Sequence, residues 1–414
     1  MHSKHLDGHF CKASIFALEE LASCLGPSCS FLSQDDKCRV PIGLTACSKQ
    51  SPLLMHVEYQ VRLPDHDWVV AERHKLIPSL YAAIKIEPNQ FGQRTSVGYS
   101  GPTYIAIRSG KHDSSTAESH ALDLDTVFGL DEFREFVKTP AGDIKPVVIV
   151  TVDGGPDGNA RYAKVIDFAI KHFKKYDLDG LFVSANARGR SAYNRVERRM
   201  APLSCELSGV ILPHDHFGSH LDSSGKTVDE ELEIKNFEEA GKVLASIWNG
   251  VQIDNYPVVA GYISPPAPNT DNVSVPAAVS QKWRAAYIRE SQYCLQVVRC
   301  NDVDCCSPWR SSLRHLLPGR FLPNPVPVKH SGEAIVTSNA DVPIFLPLFV
   351  NVQLNNVIQQ EKIGNFVVPP YDLHCPSVEP HISKRCCSVC GLYISKECSK
   401  VTQGIVIAQQ LRLL

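Results

Sequence analysis

The chain has 414 residues, a formal net charge of −2, 43% hydrophobic and 21% charged residues, so most of it should form packed cores. The near-neutral charge excludes a protein that grips nucleic acid along its whole length, and any basic surface has to be local. Without a run of 18 apolar residues or a secretory h-region in MHSKHLDGHFCK, neither a membrane span nor a signal peptide is expected. The 15 cysteines, an odd number, point to a reducing compartment with free thiols and metal ligands rather than a disulfide framework.

In chain order, residues 10–24 carry a short amphipathic helix that stops at Gly26-Pro27. Residues 1–27 are expected to be the remnant of an upstream region. Residues 28–262 alternate strand and helix patterns. Strands are expected at 30–33, 53–61 and 103–108, with the strand-like stretch 81–86 an elaboration between the second and third. A helix over 115–137 follows. Residues 147–152 are nearly all apolar, as in a strand buried on both faces. A helix over 161–175, a strand at 181–184 and a helix over 191–207 complete the order β-β-β-α-β-α-β-α. A further helix over 228–248 reads as core packing. From Ser264 the composition turns to SPPAPNTDN. Residues 263–330 therefore read as a linker and Cys-containing segment, and 331–414 as an irregular, Cys-rich C-terminal region.

Three acids fall at informative places. Asp35 ends the first strand, Asp153 ends the fourth in VVIVTVDGG, and Glu197 lies in SAYNRVERRMAPLS. Strand ends at the carboxyl edge of an α/β sheet are where sites gather. Converging carboxylates repel unless a cation sits between them, and hard oxygen donors suit Mg²⁺ or Mn²⁺. Two such ions would serve an in-line phosphoryl displacement. Asp36 competes with Asp35, and because neighbouring strand residues face opposite ways only one can serve. Asn194, three residues before Glu197 and so on the same helical face, could position the helix, the substrate or a metal-bound water.

The element order resembles the RNase H-like fold, an α/β mixed sheet flanked by helices. Within it SQDDK at 33–37, VDGGPDGN at 152–159 and SAYNRVERRMAPLS at 191–204 resemble the three motifs of DDE transposases and integrases. That resemblance covers roughly residues 28–250 and implies Asp35, Asp153 and Glu197 as the catalytic metal ligands. It implies DNA as the partner, strand cleavage or transfer as the reaction, and a nuclear or cytoplasmic address, and it leaves self-association open. Asp35 is preferred to Asp36 because its motif matches S-x-D-x-K. An insertion is needed between Asp35 and Asp153, which 117 residues separate, and 43 residues separate Asp153 from Glu197. A catalytically idle, domesticated binding module and a truncated transposon remnant are the alternatives.

Other constellations read less directly. Arg188, Arg190, Arg195, Arg198 and Arg199 crowd the segment around Glu197 and read either as a local phosphate clamp or as solvated helix flanks. His216 and His220 have metal-ligand spacing, but Gly218 makes a hydrogen-bonded loop the better reading. Cys387 and Cys390 resemble the first half of a zinc finger, with Cys375, His381 and Cys386 candidates for the missing ligands. Cys300 with Cys305 or Cys306 forms a second cluster. The residues after Cys398 read as an altered end.

Overall fold

The computed structural model describes residues 5–44, 46, 70–88, 90–155, 157–266, 278–331, 334–336, 344–361 and 370–384. The main sheet is built from Cys29–Asp36 (β1), Lys75–Ile84 (β2), Thr103–Ser109 (β3), Val147–Val152 (β4), Gly180–Ala185 (β5), Tyr256–Tyr262 (β6), Ile288–Glu290 (β7) and Cys294–Val298 (β8). Their spatial order is β6-β3-β2-β1-β4-β5-β8-β7, with Gln252–Ile253 outside β6 and Val40–Pro41 paired to β2. β2 runs antiparallel to β1 and β3. β4 is parallel to both β1 and β5, β6 is parallel to β3, and β8 is antiparallel to β5. This is an α/β fold with a mixed sheet flanked by helices. No helix among the described residues is long and apolar enough to cross a membrane.

Gly8–Leu25 (α1) lies on one face of the sheet. It buries Phe10, Leu18 and Leu21 in the same core as Phe31 and Ile149. Ala117–Gly129 (α2) and Ala163–Lys175 (α3) pack together on the other face. There Val150, Val152, Leu181 and Val183 meet Leu124 and Ala169. The nearly all-apolar β4 is buried along its whole length because helices cover both faces. Glu197–Cys205 (α4) and Glu230–Asn249 (α5) complete the layers. Trp248, fully buried, joins these two by donating its indole N–H to the Leu203 carbonyl at 3.1 Å.

The second strand differs from the sequence expectation. The stretch 53–61 lies outside the described residues, and the strand between β1 and β3 is Lys75–Ile84, whose second half was read as an elaboration. Pro78 sits inside it, where a proline argues against a central strand. It fits because Asp36–Ser79 is the last pair of the β1 ladder. Beyond it Lys37 donates its N–H to the Pro78 carbonyl at 2.9 Å, and Pro78 has no N–H to return. The sheet also continues past residue 262, since β8 pairs with β5 and carries β7.

Candidate active site

The site is built on the middle of the sheet. β1 and β4 run parallel with Ser33 opposite Thr151. Continuing that register by two residues sets Asp35 beside Asp153 on strands about 4.8 Å apart. The period of two turns Ser33, Asp35 and Lys37 toward one face. Ser33 and Lys37 serve the segment that carries Glu197. Ser33 donates its hydroxyl to the Asn194 side-chain oxygen at 2.6 Å and accepts the Val196 N–H at 3.0 Å. Asn194 donates its amide to the Gln34 carbonyl at 2.7 Å and accepts from the Thr151 hydroxyl at 3.3 Å. Lys37 reaches the Met200 carbonyl at 3.3 Å and the Ser204 hydroxyl.

The continuous helix expected over 191–207 is divided. A 3-10 turn, Ser191–Tyr193, is followed by a bend at Asn194, and α4 begins at Glu197. The shared helical face of Asn194 and Glu197 is replaced by a turn in which Glu197 donates its N–H to the Asn194 carbonyl at 3.1 Å. Asn194 is 2% exposed, and its side chain holds backbone to the sheet. Its strand contacts place Glu197 at the first position of α4, half-buried.

The three acids act on one another. Burial, then the charge of Asp153, then that of Glu197 push the Asp35 carboxyl up to about 8. Its Oδ1 accepts the Asp36 N–H at 2.9 Å, while its Oδ2 is buried with no hydrogen-bond partner. Asp153 accepts the Gly155 N–H at 2.9 Å, which shapes the turn after β4. Asp36 faces the opposite side of the sheet, where its charge acts on Tyr81, His120 and Asp157. It too has a buried oxygen without a partner, but Asp153 and Glu197 weigh on Asp35. A buried, unpartnered carboxylate oxygen that feels two further carboxylates is the kind of donor a hard divalent cation uses, although the three carboxylates are not drawn together within 4.8 Å as the Cys300, Cys305 and Cys306 sulfurs are.

A cleft of about 470 Å³ borders this face, between α1, residues 94–99 and residues 186–195. Thr151 and Asn194 form one wall, and Lys12, Arg94 and Arg190 line it with Phe16 and Tyr193. Lys12 and Arg94 lie over the Phe16 ring, and Arg190 over the Tyr193 ring with its Nε unpartnered.

The expected arginine cluster separates into two sets. Arg195 is buried, donating to Glu19 at 2.6 Å and to the Gly98 carbonyl, and Arg199 is buried against Asp254 and the Tyr99 carbonyl. These two brace α1, the 94–99 loop and α4. Arg188 and Arg198 are exposed and Arg190 is half-buried at the cleft. Lys12 and Arg94 are basic side chains of the same cleft that no sequence motif marked, because they come from distant elements.

His220 does not join His216, which is exposed. Its Nε2 lies 2.9 Å from His74 Nε2, and Glu233 comes within 3.6 Å of both. His74 Nδ1 meets the Glu72 carbonyl, His220 Nδ1 meets Asn236, and Glu233 is taken up by Lys111 and His112. Every donor atom there has a protein partner, so the group is a satisfied core network. Cys387 and Cys390 lie outside the described residues.

No protein-family model, curated protein or solved structure matches the chain.

Proposed function

We propose that the chain is a DDE-type, RNase H-like enzyme of transposon origin that carries out metal-dependent strand cleavage or transfer on DNA. The observation that carries this reading is the buried, unpartnered oxygen of Asp35, a carboxyl pushed up by burial and by the charges of Asp153 and Glu197. The fold supports it. In order of appearance the five central strands lie 3-2-1-4-5, with only the second reversed, and the acids sit at the end of the first strand, just after the fourth and at the start of the helix that follows the fifth. This is the placement the DDE resemblance leads one to expect.

Asp35, Asp153 and Glu197 would hold two Mg²⁺ or Mn²⁺ ions. Such ions, when bound, activate the attacking oxygen and stabilise the leaving oxygen of a phosphoryl displacement. The chain's own residues do the rest. Ser33, Asn194 and Lys37 fix the distance between strand and helix, so that the third carboxylate is preset rather than recruited. The raised Asp35 carboxyl is protonated at neutral pH without a cation, and binding one releases that proton. Lys12, Arg94, Arg190, Arg188 and Arg198 supply local positive charge for phosphates beside the acids, in keeping with a near-neutral whole. DNA is the proposed partner, in the nucleus or cytoplasm, with the chain acting alone or as a homo-oligomer.

A second reading is an idle derivative that keeps the fold as a DNA- or protein-binding module. The internal pairing of Arg195 and Arg199 favours it, since it removes two of five nearby cations from phosphate contact. Plasmid nicking decides between them. The enzyme reading expects Mn²⁺- or Mg²⁺-dependent nicking that Asp153→Asn abolishes while the variant stays folded. Nicking absent from the wild type at every metal concentration, with DNA still bound, selects the second reading.

A further inference from the structure

The loop after β8 carries chemistry that the carboxylate site does not use. Cys300, Cys305 and Cys306 are unbridged, and their sulfurs lie within 4.8 Å of one another. Cys300 Sγ is 3.4 Å from Cys306 Sγ, too far for a disulfide and close to the roughly 3.8 Å edge that three thiolates adopt around a tetrahedral ion with 2.3 Å bonds. The loop is built to bring them together. Asp302 accepts the N–H groups of Cys305 and Cys306 at 3.2 and 3.0 Å on its carbonyl, and its carboxylate accepts the Asp304 N–H. The chain thus turns back and presents Cys305 and Cys306 to Cys300.

An oxygen completes the group. The Tyr287 hydroxyl lies 3.0, 2.7 and 2.9 Å from the sulfurs of Cys300, Cys305 and Cys306. The phenol can donate to one sulfur and accept from the other two, so its oxygen marks the point on which the three sulfurs converge. Trp283 stacks on the Tyr287 ring at 4.3 Å and holds it in place.

The charge balance is an independent observation. Arg320 is held by three carbonyls, those of Arg299, Ala286 and Val298, at 3.0 to 3.1 Å. Among the described residues no carboxylate pairs with it, and the groups its charge faces are Cys300, Tyr287, Cys306 and Cys305. A cation set among neutral thiols lacks a counter-charge. Three thiolates with one divalent ion carry a net charge of minus one, which Arg320 neutralises.

We propose that Cys300, Cys305 and Cys306 bind one zinc ion as thiolates, the ion taking the place where the Tyr287 oxygen now meets the three sulfurs and that oxygen withdrawing to the fourth position. The soft sulfur set selects zinc over the hard cations suited to the carboxylate site. The site is structural: it ties the loop to β8, next to the edge strand of the sheet, and to Gln281–Tyr287, far in sequence from Asp35. It stands whether or not the proposed enzymatic function does.

The test uses the full chain carrying Cys387→Ser and Cys390→Ser, which removes zinc bound by the tail from the count. Metal analysis after purification under reducing conditions is expected to find one zinc per chain, and Co²⁺ replacement a sulfur-to-cobalt charge-transfer band. Adding Cys305→Ser and Cys306→Ser should remove both, whereas Cys205→Ser, outside the cluster, should leave both unchanged. Tyr287→Phe is expected to weaken zinc binding about tenfold or more. No zinc and no charge-transfer band in the starting chain overturns the proposal without any cluster variant having to fold. So does a Cys300–Cys306 disulfide found by non-reducing peptide mapping, or zinc retained after loss of Cys305 and Cys306.

Discussion

Replacing Asp35 by asparagine probes the carboxylate site with no substrate at all. In the unfolded chain this carboxyl ionises near 3.8; in the folded protein burial, Asp153 and Glu197 push it up to about 8. A value raised on folding means that its contribution to stability is fully present below about pH 4 and is lost as the pH rises toward 8. At pH 7 the wild type must either keep a proton that the unfolded chain has released or bury a charge among two others. At about 1.4 kcal/mol per tenfold, this costs at most roughly 4 kcal/mol. Asparagine has no charge to lose, and its amide can donate to the facing carboxylates. In metal-free buffer at pH 7, Asp35→Asn is therefore expected to be more stable than wild type by about 1 to 4 kcal/mol, an advantage that shrinks toward pH 4. With Mn²⁺ at a hundred times its dissociation constant the wild type gains about 2.7 kcal/mol, and the variant gains little. Urea unfolding across that pH range, with chelator and with Mn²⁺, reads both effects. An asparagine variant less stable than wild type at pH 7 without metal, by a margin independent of pH, would refute the reasoning.

Other consequences follow from named contacts. Ser33→Ala or Asn194→Ala should cost about 1 to 3 kcal/mol, since each leaves buried polar groups unmatched, and should lower nicking further than melting temperature alone explains; retained full activity would remove their positioning role. Arg195→Ala should cost about 3 to 5 kcal/mol by leaving Glu19 buried and unpaired, whereas Arg188→Ala and Arg198→Ala should leave chemical denaturation midpoints within about 0.5 kcal/mol of wild type. Lys12→Ala with Arg190→Ala should weaken DNA binding and reduce its salt dependence by about two counterions, read from affinity against salt concentration; an unchanged slope would place the DNA elsewhere.

Much of the central sheet was legible because its strands are distinctive. Val147–Val152 and Gly180–Ala185 are short apolar runs followed by turns, and both are strands buried on every residue. Lys75–Ile84 was legible only in its second half because Pro78 interrupts its pattern, and only the end of β1 makes that proline tolerable. Asp35, Asp153 and Glu197 could be named from their places in the element order. Their supports could not. Ser33 and Lys37 look like ordinary strand-end residues until α4 is packed on them, and Asn194 leaves the helix because its amide finds the Gln34 carbonyl 160 residues away. The arginines show the same limit. Local spacing put them in one cluster, but the buried acid Glu19 on α1 and Asp254 beyond α5 draw two of them inward. Partners far apart in sequence decide which charges remain for a ligand.

Asp35, Asp153 and Glu197 are proposed to form a divalent-metal site. Mn²⁺ binding to the full chain near pH 8, counted by electron paramagnetic resonance, tests it most directly. The expected result is up to two ions per chain, weaker binding as the pH falls and Asp35 takes up its proton, and loss of these ions in both Asp153→Asn and Glu197→Gln. No Mn²⁺ bound by the wild type, or equal binding by all three proteins, would contradict it.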